Sequence, residues 1–347
     1  DKDLDLRDRW AGIRELNTDY KPIPYAQITK DGRKIRIRDR AEAAATFFEN
    51  DLDGYIGIGI NRFSLGAQAF DDSTLASIGR KHNRSQLIEA CDWVNNLFKK
   101  GMLRSWSLDL IQNLPGLNLS KWIKELEQAI STEAPHLSIY DLTIEPDTVF
   151  GRLHKKGKLN IPIDSESQKI DFETTRLLKS RGFARYEISS YSLPGHASRH
   201  NRMYWSGSGW WGFGMGATSA PWGERFSRPR TIAGYKKWLE QQESQSLEKT
   251  LSIEKSKSMP LDELLMIGLR RREGIHLEEL AKNAGWTQKK CDKNLKSLEK
   301  FWLNSINEGF LLRHNGRYFL SDPKGMQISN QILIQMFSWW DSLDRDQ

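Results

Sequence analysis

Between residues 58 and 193 the chain alternates short apolar runs with longer stretches of helical spacing, and this rhythm leaves few folds open. INRFSLGAQAF (60–70) reads as a buried strand bounded by Gly59 and the Asp71-Asp72 pair. SQLIEACDWVNNLFKK (85–100) sets Leu87, Ile88, Cys91, Val94, Leu97 and Phe98 at helical spacing, with Ser85 as the expected N-cap. SWSLDLIQNLPG (105–116) reads as strand then turn, and SKWIKELEQAI (120–130) as a helix opened by Ser120. HLSIYDLTIEP (136–146) is again a strand, SQKIDFETTRLLKSRG (167–182) a helix stopped by Gly182, and ARYEISSYS (184–192) one more strand. Strands separated by crossover helices form right-handed units, which predicts a largely parallel α/β sheet. Ligands of such sheets sit at the carboxyl ends of the strands, a rule that singles out Gln68, Asp109 and Thr143.

The flanks differ. The first 53 residues lack this rhythm, although Asp31-Gly32 between the alternating runs of AQITKDGRKIRIRD signals a β-hairpin. SQSLEKTLSIEKSKSMP (244–260) is polar and charged, as a linker would be. Beyond it come LDELLMIGLRRREG (261–274, closed by Gly274), IHLEELAKNAGW (275–286), TQKKCDKNLKSLEKFW (287–302) and GRYFLSDPKGMQISNQILIQMF (316–337). Helix, helix, helix, short hairpin and helix outline a small winged-helix-like domain. The expected organisation is therefore an unassigned leader (1–53), an α/β unit (54–243), a linker (244–260) and a helical C-terminal domain (261–347).

Charge and cysteine content narrow the function. Lys and Arg number 52 against 45 Asp and Glu, a net +7, which suits nucleic acid, anionic lipid or an acidic small molecule. Much of it is scattered in pairs such as Lys99-Lys100, and the run from Lys289 to Lys300 reads as a solvated helix face. No run of 18 apolar residues spans a membrane, and DKDLDLRDRW is no signal peptide, so the cytosol is the expected location. Two cysteines, Cys91 and Cys291, build neither a disulfide framework nor a three-thiolate iron–sulfur site.

PGHASRHNRMYWSGSGWWGFGMGATS (194–219) combines a histidine, a carboxamide and bulky aromatics with a ladder of glycines. Tyr204, Trp205, Trp210 and Trp211 offer wide apolar faces, and His200 carries a nitrogen able to ligate iron. Gly207, Gly209, Gly212, Gly214 and Gly216 remove side chains where a flat ligand or another stretch of backbone must come close. Two readings of His200 stand side by side: an iron ligand beside a large, flat, apolar molecule, and a hydrogen-bonded histidine fixing a strand–loop junction.

RFSLGAQAFDD, GRKH, LDLIQNLPG, LTIEP, ARYEISSYSLPGHASRHNRMYW and GFGMGATS occur in that order. On these stretches the chain resembles, from about Gly54 to about Phe337, the radical SAM branch that holds oxygen-independent coproporphyrinogen III oxidase and the heme chaperone HemW. HNxxYW (His200, Asn201, Tyr204, Trp205) followed by GxGxGA points to the chaperone side. The resemblance implies a partial (β/α) barrel, here truncated at its N-terminus, with a small helical C-terminal domain. It implies a heme chaperone that binds heme and passes it to an acceptor protein, with coproporphyrinogen III oxidase as the alternative. Family cofactors are S-adenosyl-L-methionine and a [4Fe–4S] cluster on a CxxxCxxC loop, a loop this sequence lacks, so no cluster is expected. By resemblance Gln68, Arg80, Asp109 and Thr143 are the S-adenosylmethionine positions, and His200, Asn201, Tyr204 and Trp205 the heme positions, with His200 as iron ligand. QNLPG departs from the family's YGLPG through Asn113, a residue that tolerates positive φ. Nucleic acid is not an expected partner, and a homodimer is among the assemblies the resemblance allows.

Overall fold

The computed structural model describes residues 49–146, 148–220, 225–244 and 259–343. The Asp31-Gly32 hairpin and most of the 244–260 linker lie outside the described residues. In chain order the elements are α1 (Glu49–Gly57), β1 (Arg62–Gln68), α2 (Asp72–Ser77), α3 (Arg84–Lys99), β2 (Ser105–Gln112), α4 (Leu119–Ser131) and β3 (His136–Asp141). There follow α5 (Val149–Lys155), α6 (Asp164–Ser180), β4 (Ala184–Arg185), β5 (Ser190–Ser192), α7 (Arg199–Trp205), β6 (Thr218–Ser219), β7 (Phe226–Ser227) and α8 (Ile232–Ser244). The C-terminal part holds α9 (Leu261–Leu269), β8 (Ile275–His276), α10 (Leu277–Asn283), α11 (Gln288–Asn307), β9 (Leu311–His314), β10 (Arg317–Leu320), α12 (Lys324–Gln327) and α13 (Ser329–Asp341).

The main sheet has five strands in the order β1-β2-β3-β5-β4. β1, β2 and β3 are parallel, as the crossover pattern predicts, with Leu65 opposite Leu108 and Leu108 opposite Leu137. Period-two alternation divides the sheet into two faces. One carries Leu65, Ala67, Trp106, Leu108, Leu110, Leu137 and Ile139, all buried. Leu87 and Val94 of α3, Trp122 and Leu126 of α4, and Ile170 and Leu178 of α6 cover it. The Trp122 indole N–H donates to Thr174 Oγ1 at 2.7 Å and so ties α4 to α6. The other, inner face is polar: Ser64 opposes Ser107, Gly66 opposes Asp109, Asp109 opposes Ser138 and Ser138 opposes Ser190.

Three local expectations are corrected. α3 begins two residues earlier than Ser85 would set it, because the Asn83 side chain accepts from Gln86 N and Gln86 reaches back in a full capping box. α4 is capped by Asn118, which accepts from Lys121 N, and Ser120 lies inside the helix. Residues 184–192 are not one strand: β4 and β5 are short, joined by a turn, and β5 runs antiparallel to β3 (His136 opposite Ser192). Asn113 has φ 62°, so the QNLPG turn keeps its left-handed residue without glycine.

From α9 onward a second apolar cluster gathers Leu265, Leu298, Trp302, Leu311, Ile332, Met336 and Trp339 around a three-stranded sheet ordered β8-β10-β9. α9 ends at Leu269, short of Gly274. Gly274 instead has φ 62° in the turn before β8, and a Cβ there would run into the Tyr318 carbonyl. The two parts meet around Arg185. Its guanidinium is buried, bonds Asp171 at 3.4 Å and the Ile188 carbonyl, and reaches Asp322 across the boundary at 3.4 Å. Arg272 N donates to the Tyr186 carbonyl beside it. Arg185→Met strands two carboxylates and should lower unfolding stability by about 3 kcal/mol or more. Urea midpoints of R185M and of R185M/D171N check this, the second variant regaining part of the loss.

Candidate functional site

The polar inner face is where the chain folds back on itself. After β5, Leu193 N donates to the Pro135 carbonyl, and the segment crosses the amino ends of the parallel strands. Arg62 Nη1 donates to the His196 carbonyl at 3.2 Å, and His196 Nδ1 lies 3.1 Å from Ser105 Oγ. His136 Nε2 shares a 2.8 Å hydrogen bond with the Tyr186 hydroxyl, which accepts from Ser198 N at 3.2 Å. Ser198 is the N-cap of α7, accepting from Asn201 N. Arg62, Ser105, His136 and Tyr186 thus fix the entry of the helix that carries HNxxYW. None of the four was singled out from sequence, though polar residues at every second position of RFSLGAQ, SWSLDLIQ and HLSIYD are the signal that could have found this face.

α7 and its successor loop wall a cavity of about 450 Å³, within the range of about 300–1,000 Å³ typical of small-molecule sites. His200, Asn201, Tyr204 and Trp205 all face it, joined by Trp210. His200 packs edge-on to Tyr204 with ring centroids 4.8 Å apart, and Tyr204 to Trp210 at 4.9 Å. From the sheet come Tyr140, on the inner face of β3, with Glu187 and Ser189 of the β4–β5 turn. Met259 and Ile267 close the far side from the C-terminal part, and Arg225 stands at the cavity wall. Burial raises the Glu187 carboxyl above the usual carboxylate range, opposed by bonds from Ser190 and Ser189 N. Sequence reasoning missed Glu187, Arg225 and α9, which reach the cavity only through tertiary packing.

The glycine ladder serves packing of the chain. A Cβ at Gly207 would strike Leu264 of α9 at 2.8 Å, and one at Gly212 would strike the Thr218 carbonyl. At Gly212 the close neighbour is backbone, the Thr218 carbonyl, whereas at Gly207 it is the side chain of Leu264.

None of Gln68, Arg80, Asp109 and Thr143, the residues expected to hold S-adenosylmethionine, lines this cavity. Arg80 walls a smaller hollow of about 200 Å³ with Ile111, Leu114, Leu142 and Phe150. Burial lowers the Arg80 pKa. Thr143 is exposed beyond Leu142. Asp109 accepts from Ser64 Oγ at 2.9 Å on the inner face. Gln68 is buried at the end of β1 with φ 68°, a strained backbone for this residue type, and its amide folds over Gly66. Glu125 of α4 holds this strand end, accepting from Phe70 N and Asp71 N.

Against known proteins, no family model matches the chain. It is 39% identical over 308 residues to the heme chaperone HemW of Synechocystis sp., covering 84% of this chain and 72% of that one. The chain belongs to the HemW family. The HemW of Lactococcus lactis is 28% identical over 278 residues (79% of this chain, 68% of that protein). The solved coproporphyrinogen III oxidase (HemN) of Escherichia coli, a radical SAM enzyme, superposes with TM-score 0.64 at 14% identity, over 84% of this chain and 67% of that one. The α/β architecture is thus that of the radical SAM fold in the HemW and HemN group.

The residues present do not fit the group's iron–sulfur cluster. Cys91 sits in the core under the main sheet and Cys291 in the C-terminal core, so no three thiolates converge. Burial, with Asp92 alongside, pushes the Cys91 thiol up to about 12. Among the described residues no group of three His, Cys, Asp or Glu is placed to hold a metal ion, and no helix is long and apolar enough to cross a membrane.

His136 gives this region a pH signature. Burial, reinforced by Arg62 and His196, lowers its pKa from 6.5 to about 3. Below about 6.5 the unfolded chain takes up a proton that the folded chain refuses, so stability falls with pH. Between pH 7 and 5 this imidazole should cost about 2 kcal/mol, and denaturant midpoints of His136→Asn should show a correspondingly flatter acid slope.

Proposed function

We propose that this chain binds heme in the cavity between α7 and α9 and passes it to an acceptor protein in the cytoplasm. The observation that supports this most is that all four HNxxYW side chains line one cavity of about 450 Å³, together with the aromatic rings of Tyr140 and Trp210. His200 supplies a ring nitrogen for iron at the rim, Tyr204, Trp205 and Trp210 supply faces for the macrocycle, and Asn201 supplies an amide for a polar edge. The relatives named heme chaperone HemW support the same reading. Gln68, Arg80, Asp109 and Thr143 are proposed as the family's S-adenosylmethionine positions, clustered toward the carboxyl ends of β1 to β3. In the proposed organisation residues 54–243 form the barrel-type unit and 261–347 the cap over the cavity, joined by 244–260. A coproporphyrinogen oxidase would need three thiolates, which Cys91 and Cys291 do not supply. Hemin titration followed at the Soret band tests the heme reading: His200→Ala should weaken binding about tenfold or more and shift the band, while iron-free protoporphyrin should bind both proteins alike. Equal hemin affinity in both proteins removes His200 as ligand.

A further inference from the structure

Arg225, immediately before β7, enters the cavity wall from outside the HNxxYW motif. Its guanidinium carbon lies 5.8 Å from the centre of the Trp210 ring, so one face of the fork is held against an aromatic wall. Its Nη2 is 3.2 Å from Glu263 Oε2 on α9, with both side chains partly exposed. Of the described residues that wall the cavity, Arg225 alone carries a fixed positive charge. The acid among those wall residues, Glu187, is buried and pushed toward its neutral form. A planar guanidinium pairs with a carboxylate through two parallel hydrogen bonds, and a partly exposed resident ion pair is weak enough to be displaced.

We propose that Arg225 is the carboxylate anchor of this cavity, selecting porphyrins with free propionates and exchanging Glu263 for the ligand's carboxylate. The inference rests on the heme reading of the cavity. Glu263 then acts as a built-in competitor: it holds Arg225 in place when the cavity is empty and lowers affinity for an incoming propionate. Because the pair joins the β7 side to α9, loading the cavity also removes one contact between its two walls. A ligand held by an exchangeable anchor is one that can be handed on.

Hemin and hemin dimethyl ester, titrated into the full chain and into Arg225→Gln and Glu263→Gln, test the proposal. The wild-type chain should bind hemin about tenfold more tightly than the ester. R225Q should lose about that factor for hemin and leave the ester unchanged, and E263Q should gain several-fold for hemin alone. Circular dichroism melts establish that the variants fold. Wild-type binding of acid and ester with equal affinity, or R225Q weakening both equally, overturns the anchor while leaving the heme reading intact. A wild-type chain that takes up neither compound overturns the heme reading and this inference with it.

Discussion

The cavity lies at a seam where a buried guanidinium is among the contacts that join two cores. Arg185 stands at the β4–β5 turn with Asp171 on one side and Asp322 of the C-terminal part on the other. Both cores are apolar in their own right, one under the main sheet and one around α11 and α13. Neither alone would bring α9 opposite α7. A charge removed from water is tolerated only with its partners in place, so breaking this contact leaves an uncompensated buried charge. Gly207 adds a steric constraint, since any side chain there would meet Leu264.

The inner face shows the same economy in another form. The parallel strands of this chain present an apolar face to helices and a polar face on the other side. Here part of that polar face is occupied by the chain itself: His196 and Ser198 lie across Arg62, Ser105, His136 and Tyr186. What is anchored there is the amino end of α7, so the aromatic side chains that follow point from a fixed base. The tyrosine and histidine groups that hold the base are neutral near pH 7, and Arg62 supplies the charge.

Much of this was legible in the sequence, and the misses have physical causes. The apolar runs of β1, β2 and β3 fell between glycine, proline and aspartate punctuation, so strands and crossovers could be read directly. Ser85 and Ser120 read as caps because they precede apolar positions, but Asn83 and Asn118 are equally good acceptors, and Gln86, three residues after Asn83, is the deciding signal at α3. ARYEISSYS alternates like one strand. Its centre turns because Tyr186 and Glu187 make side-chain bonds to Ser198 and Ser189 that pull them away from the ladder. The HNxxYW residues were legible as a motif and do line one space. Glu187, Arg225 and the α9 wall were not, since they come from chain segments brought in by packing alone. The glycines were legible as close approaches, with the partner open between ligand and backbone, and at Gly207 and Gly212 the partner is the protein.

The central claim, that α7 and α9 enclose heme with His200 at its iron, is tested most directly by crystals of the hemin-loaded chain measured at the iron absorption edge. The account predicts an anomalous iron peak within coordination distance of a His200 ring nitrogen, with the macrocycle lying against Tyr204 and Trp210. A peak in the hollow beside Arg80, or on the outer surface away from α7, would contradict it.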